Sequence, residues 1–131
     1  MDKRTHKERF DAGLQTRREV LGAAYVDKTV AGTDDFNREF QELLNTYCWN
    51  DIWNRPALPR KTRSIMNLCM LISLGKTHEL KLHIRGALNN GLTLEEIKEV
   101  FLQTAIYCGV PAAVEAFRCA REVLAEDAAK K

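Results

Sequence analysis

His83 sits in the stretch KLHIRGALNNGLT, residues 81–93, a titratable ring among leucines and alanines. Such a ring is a core residue, a metal ligand, or an acid–base group beside a pocket, and each role demands different company. At about 100° per residue of a helix, Leu80, Ile84, Ala87 and Leu88 form one apolar stripe, and His83 lies off its edge. Glu79 stands one turn before the ring, where a carboxylate can hydrogen-bond an imidazole, raise its pKa and fix its tautomer. Gly86, one turn after, leaves a gap through which a ligand can approach. Arg85 points about 160° away and belongs to another face. In the preceding segment Arg63 and Asn67 share a line among mostly apolar positions, although a solvated edge explains an arginine there equally well. His6 and His78 supply no further ligand set of suitable spacing, so no metal site is expected.

The elements that must position these groups read as helices. Phe10, Leu14 and Leu21 mark an amphipathic helix over about residues 5–23. Thr33 before Asp34 and Asp35 reads as the N-cap of a second, whose Phe36, Phe40, Leu43, Leu44 and Tyr47 share one face. Pro56 and Pro59 break the chain, and Pro59 is placed to open a third helix that is apolar through SIMNLCMLISL and stops at Gly75. Thr77 is the expected cap of a fourth, ending at Asn90-Gly91. Thr93-Leu-Glu-Glu96 is a capping box for a fifth, which turns Ile97, Val100, Phe101 and Ala105 inward. Pro111 opens a sixth that runs through Phe117 and Leu124 to a charged tail. No period-2 strand pattern, internal repeat or linker stands out, so the expectation is all-α: six helices in a single domain over residues 1–131, frayed at both ends.

Composition narrows the function. With 45% hydrophobic and 29% charged residues the chain has the profile of an ordinary folded protein. Its net charge of +2, with signs intermixed, gives no basic stripe, so nucleic acid is not expected as a partner, whereas a small anion needs only a few well-placed arginines. No apolar run approaches the roughly 20 residues of a membrane helix, and the first ten residues lack the apolar core of a secretory signal, so a cytoplasmic protein without a membrane partner is expected. Cys48, Cys69, Cys108 and Cys119 form no C-x-x-C pair and read as small buried hydrophobes. Leu82, on the otherwise polar back of the fourth helix, together with the apolar third helix hints at a subunit interface.

Several stretches together resemble the carboxymuconolactone decarboxylase family: RREVLG, WNDIWNRPALPRKTRS, HELKLHIRGALNNGLTLEEIKEV, QTAIYCGVPAAVEAF and AREVLAE, covering most of residues 17–126. The resemblance implies an alkyl hydroperoxidase D-like helical fold that oligomerises as a trimer or hexamer. It also implies a cofactor-free enzyme of the β-ketoadipate pathway of aromatic degradation, converting γ-carboxymuconolactone to β-ketoadipate enol-lactone. The redox branch of that superfamily carries C-x-x-C-x-x-x-H; aligning its histidine with His83 puts Lys76 and Glu79 at the cysteine positions, so the thiolate chemistry lacks its nucleophile there. Asn50 stands where the family often has glycine, Val114 where asparagine follows VPAA, and Tyr25 where a histidine is frequent. These departures point to a paralogue acting on a related lactone as an alternative.

For such a substrate, loss of CO2 sends two electrons through the double bond onto the lactone carbonyl. The protein must hold the spectator carboxylate, stabilise the developing dienolate, and protonate carbon. Arg63 and Arg55, the latter held extended by Pro56, suit bidentate carboxylate recognition. Tyr107 and Asn67 are candidate donors to the dienolate oxygen. A ring titrating near neutrality would make His83 the proton carrier, with Glu79 orienting it. Trp49 and Trp53, one turn apart, either wall the pocket or simply pack. The competing readings are a thiol or peroxide oxidoreductase relying on an isolated cysteine such as Cys108, and a non-catalytic helical module.

Overall fold

The computed structural model describes residues 3–130, and among them there are only helices, turns and short connections. The order is α1 (His6–Leu21), α2 (Ala23–Ala31), α3 (Arg38–Leu43), a π-helical stretch (Leu44–Ile52), α4 (Arg60–Leu74), α5 (Thr77–Asn89), α6 (Leu94–Tyr107) and α7 (Val110–Ala129). The all-α expectation holds, with more elements than six. The chain divides into two compact units, residues 1–59 and 60–131.

In the first unit, Thr5 caps α1 with a capping box: its hydroxyl accepts the Glu8 amide at 3.1 Å while the Glu8 carboxylate accepts the Thr5 amide at 2.8 Å. The helix expected over 5–23 stops at Gly22, whose φ of 97° lies in the region glycine alone enters cheaply, and the chain restarts at once as α2. Thr33 does not cap the next helix. Asp34 Oδ1 accepts the amides of Phe36 and Asn37, and Asn37 Oδ1 accepts the Asp34 amide, so a side-chain-closed turn replaces the first helical turn and α3 begins only at Arg38. From Leu44 the helix widens to i→i+5 bonding, seen where the Trp53 amide reaches the Cys48 carbonyl at 3.0 Å.

Helix α1 lies against this π-helical stretch at backbone distance. A Cβ added to Gly13 would sit 1.6 Å from the Asn45 carbonyl oxygen and 3.0 Å from the Asn50 amide nitrogen. Around this contact the buried positions are unusually polar: Thr16, Arg17, Gln41, Asn45, Thr46 and Asn50 accompany Leu14, Val20, Leu21, Val26 and the two tryptophans. Arg17 Nη1 donates to Gln41 Oε1 at 3.1 Å and to Asn45 Oδ1 at 3.2 Å, tying α1 to α3 and the π-helical stretch.

The second unit has an apolar core. Leu68 and Ile72 of α4, Leu80, Ile84 and Ala87 of α5, Ile97 and Phe101 of α6, and Ala116, Cys119 and Val123 of α7 form one buried cluster. The stripe expected on α5 is the one that is buried. Thr93 and Glu96 form the expected capping box, and Pro111 lies in the first turn of α7. Thr77 is inside α5 rather than capping it, because the Lys76 carbonyl already accepts the first helical bond, from the Leu80 amide at 2.8 Å.

Gly13→Ala is expected to destabilise the protein by about 2 kcal/mol or more, since neither backbone at this contact can yield as a side chain would. Urea unfolding followed by tryptophan fluorescence measures it; a wild-type midpoint would show that α1 can lift off without cost.

Candidate active site

The rotation of α5 is fixed from two sides. On one, Lys81 Nζ reaches Glu126 at 3.0 Å and Glu122 at 3.2 Å, and Arg85 pairs with Glu126, all on α7. Arg85 thus faces away from the His83 site, as its position on the helix implies. On the other side His83 meets α4: Asn67 Nδ2 lies 3.3 Å from His83 Nδ1. If the amide donates, Nδ1 is the acceptor and the ring proton sits on Nε2. Two turns further on, at the C-cap of α5, Asn90 Nδ2 donates to Ser64 Oγ at 2.8 Å, a second polar tie across the same seam. Asn67 is therefore a direct partner of the ring, and Arg63, one turn earlier on α4, shares its face.

Burial governs the ring's titration. Desolvation pushes the His83 pKa from 6.5 down to about 4, and the Glu79 charge only partly offsets it. The expectation of a ring titrating near neutrality is corrected accordingly: Glu79 acts in the anticipated direction, but it is exposed and works through solvent, whereas α4 strips water from the imidazole. The resting ring at pH 7 is neutral, a hydrogen-bonding group rather than a charged one.

The other sequence candidates fall in different places. Tyr107 stands 83% exposed at the end of α6. Trp49 and Trp53 are buried in the first unit and stacked, with ring centroids 4.9 Å apart and planes 24° from parallel. Arg55 lines a cleft of that same unit with Arg4, Arg9, Asn50, Asn54 and Asp51. Sequence reading missed these companions of Arg55. It also missed Asn50's role: 3% exposed, Asn50 accepts from Arg4 at 3.1 Å and from Asn54 at 3.2 Å and donates to Asp51 at 2.8 Å. The W-x-x-x-W-x-R-P spacing was the available signal, since it sets Asn50, Asn54 and Arg55 along one short segment. Among the cysteines, burial raises the thiol pKa of Cys48, Cys69 and Cys119, which disfavours the nucleophilic thiolate. Among the described residues no group of three or more His, Cys, Asp or Glu is placed to hold a metal ion, and no helix is long and apolar enough to cross a membrane.

A family model described as the carboxymuconolactone decarboxylase family matches residues 38–122. The 4-carboxymuconolactone decarboxylase of Acinetobacter baylyi is 40% identical over 117 residues, 89% of this chain and 87% of that protein. The nitrosuccinic acid decarboxylase npaB of Metarhizium robertsii is 43% identical over 111 residues, 85% of this chain and 78% of that protein. A 4-carboxymuconolactone decarboxylase sequence from Pseudomonas putida is 49% identical over 45 residues, 34% of this chain and 94% of that sequence.

A histidine whose folded pKa is depressed binds its proton sooner in the unfolded chain. Its contribution to stability is complete above about pH 6.5 and is lost as pH falls toward about 4. His83→Gln removes that contribution, so the wild-type-minus-variant difference in unfolding free energy should shrink between pH 7 and pH 4.5. Paired carboxylates titrate in the same range and cancel in the difference. A difference independent of pH would mean that water reaches the ring.

Proposed function

The chain belongs to the carboxymuconolactone decarboxylase family, and from that premise we propose that it decarboxylates γ-carboxymuconolactone to β-ketoadipate enol-lactone in aromatic catabolism. The observation that carries the reading is a neutral, desolvated His83 held by Asn67 on an α4 face shared with Arg63. The reaction consumes one carboxylate and one proton and yields CO2 and a C–H bond. The lactone's own conjugation accepts the electron pair, so no cofactor is called for. Arg63 is the proposed holder of the spectator carboxylate in the second unit. Asn67 and Tyr107 are proposed donors to the dienolate oxygen. Arg55, Trp49 and Trp53 are proposed to serve binding of a carboxylated ligand within the first unit.

His83 delivers the proton in this scheme. Its low resting pKa serves that purpose, because a desolvated ring responds strongly to an incoming anion: a carboxylate within about 4–6 Å favours the imidazolium, so proton uptake accompanies substrate binding. The imidazolium so formed is the proton donor to the carbanion. Glu79 supports the charged form from outside. The leaving carboxylate meets no tight cation, since pairing it would stabilise the ground state and oppose its departure.

A second reading has its own observation, the similarity to a nitrosuccinic acid decarboxylase. A nitro group accepts the electron pair as a conjugated lactone does, and the tasks left to the protein are the same. A thiol or peroxide oxidoreductase is less well supported, because Lys76 and Glu79 stand where the redox branch carries its two cysteines.

The purified protein should release CO2 from γ-carboxymuconolactone with a kcat/KM at least a hundredfold above that for nitrosuccinate. The reverse ratio would make it an enzyme of the nitro acid, and activity toward neither would remove both readings. His83→Ala should lower kcat by a thousandfold or more with its helical circular dichroism unchanged; near-normal turnover would take the ring out of the chemistry.

The same reading includes a homo-oligomer, a trimer or hexamer, working in the cytoplasm, where four free thiols suit a reducing compartment. Large apolar side chains left exposed support assembly: Phe36 is 97% exposed, Ile106 80% and Leu74 68%, beyond what isolated surface leucines explain. Light scattering should return a trimeric or hexameric mass, and a monomer would overturn this part.

A further inference from the structure

The first unit contains a second cleft, of about 490 Å3, lined by residues of α1, α2, α3 and the start of the π-helical stretch. Phe10 and Val30 give it apolar walls, and its charged lining is balanced, Lys7 and Arg38 against Asp11 and Glu42. Gln41 and Asn45, which also line it, are buried. Both give their amide oxygens to one nitrogen of Arg17, at 3.1 Å and 3.2 Å. A guanidinium only donates, so these contacts fix which arm of each carboxamide is oxygen and which is the NH2 donor. Asn45 Nδ2 is wholly enclosed and has no hydrogen-bond partner among the described residues. A buried donor left unsatisfied is costly, and folded proteins keep few of them. Arg17, itself buried, stands behind the pair, and its charge polarises both amides so that their N–H groups donate more strongly.

We propose that this cleft binds an uncharged aromatic carbonyl compound, an aryl ketone or aryl amide, whose oxygen accepts from Asn45 and Gln41 while its ring lies against Phe10 and Val30. The volume lies within the range of small-molecule sites, and an aromatic wall favours an aromatic guest. Charge argues against an acid. Arg17 is not among the lining residues, so a carboxylate would give up its water for neutral amides and apolar walls. A plain hydrocarbon would fill the space but leave the Asn45 donor as unsatisfied as before. A carbonyl meets both demands. The inference uses none of the groups assigned to decarboxylation and does not depend on that reaction.

Saturation-transfer NMR on the full-length protein tests it, with acetophenone, benzoate and toluene as probes. Acetophenone should bind at least fivefold tighter than either of the others. Asn45→Asp keeps the side-chain shape, removes the donor and sets a carboxylate beside Arg17, so the fold should hold while acetophenone weakens at least fivefold. Gln41→Glu makes the same exchange at the neighbouring amide and should weaken acetophenone at least twofold; it decides the matter if Asn45→Asp loses its helical circular dichroism. Gln103→Glu, exposed on α6, adds the same charge and should leave binding unchanged. Toluene binding as well as acetophenone would reduce the cleft to an apolar surface, and tighter benzoate would make it an anion site. Either result overturns the proposal, as does acetophenone that fails to bind or binds indifferently to both amide substitutions.

Discussion

The seam between α4 and α5 sets what His83 can do. Leu68, Ile72, Leu80 and Ile84 close it with hydrocarbon, and two polar ties, Asn67 to His83 and Asn90 to Ser64, cross it. Hydrocarbon removes water from the ring, and the amide gives the ring a hydrogen-bonding partner in exchange. Desolvation wins over the Glu79 charge because burial acts on the whole imidazole, whereas an exposed carboxylate is screened. The ion pairs from Lys81 and Arg85 to α7 contribute little energy singly, but they hold the opposite side of α5 and so keep the ring facing α4.

The helices of the second unit were legible because their signals are local. The Thr93–Glu96 box, the apolar stripe of α5 and Pro111 each act within a turn or two of themselves. In the first unit the decisive features are not local. Gly22 ends α1 near the expected boundary, but the immediate restart as α2 on its far side had no pattern to announce it. The i→i+5 bonding of residues 44–52 leaves no periodic mark of its own. Arg17, Gln41, Asn45 and Asn50 read as surface residues by type, yet all four are buried, because Gly13 lets α1 approach so closely that polar side chains are enclosed with the backbone they serve.

The candidate site divides in the same way. His83 and its neighbours on α4 and α5 followed from helical spacing, since one wheel fixes which residues share a face. The ring's acidity did not follow, because desolvation depends on a helix distant in sequence. Arg55 was singled out through the proline after it, while its cleft companions Arg4 and Arg9 come from the opposite end of the unit and have no spacing to announce them. The thiols show the converse: lacking a paired motif, they read as inert, and burial accounts for three of them.

The stacked indoles of Trp49 and Trp53 carry a practical consequence. They are the chain's two tryptophans, and both lie in residues 1–59. Emission excited at the red edge therefore watches one half of the molecule, while the amide bands in the far ultraviolet weigh both. Comparing the two optical windows separates the melting of one half from that of the other without a label.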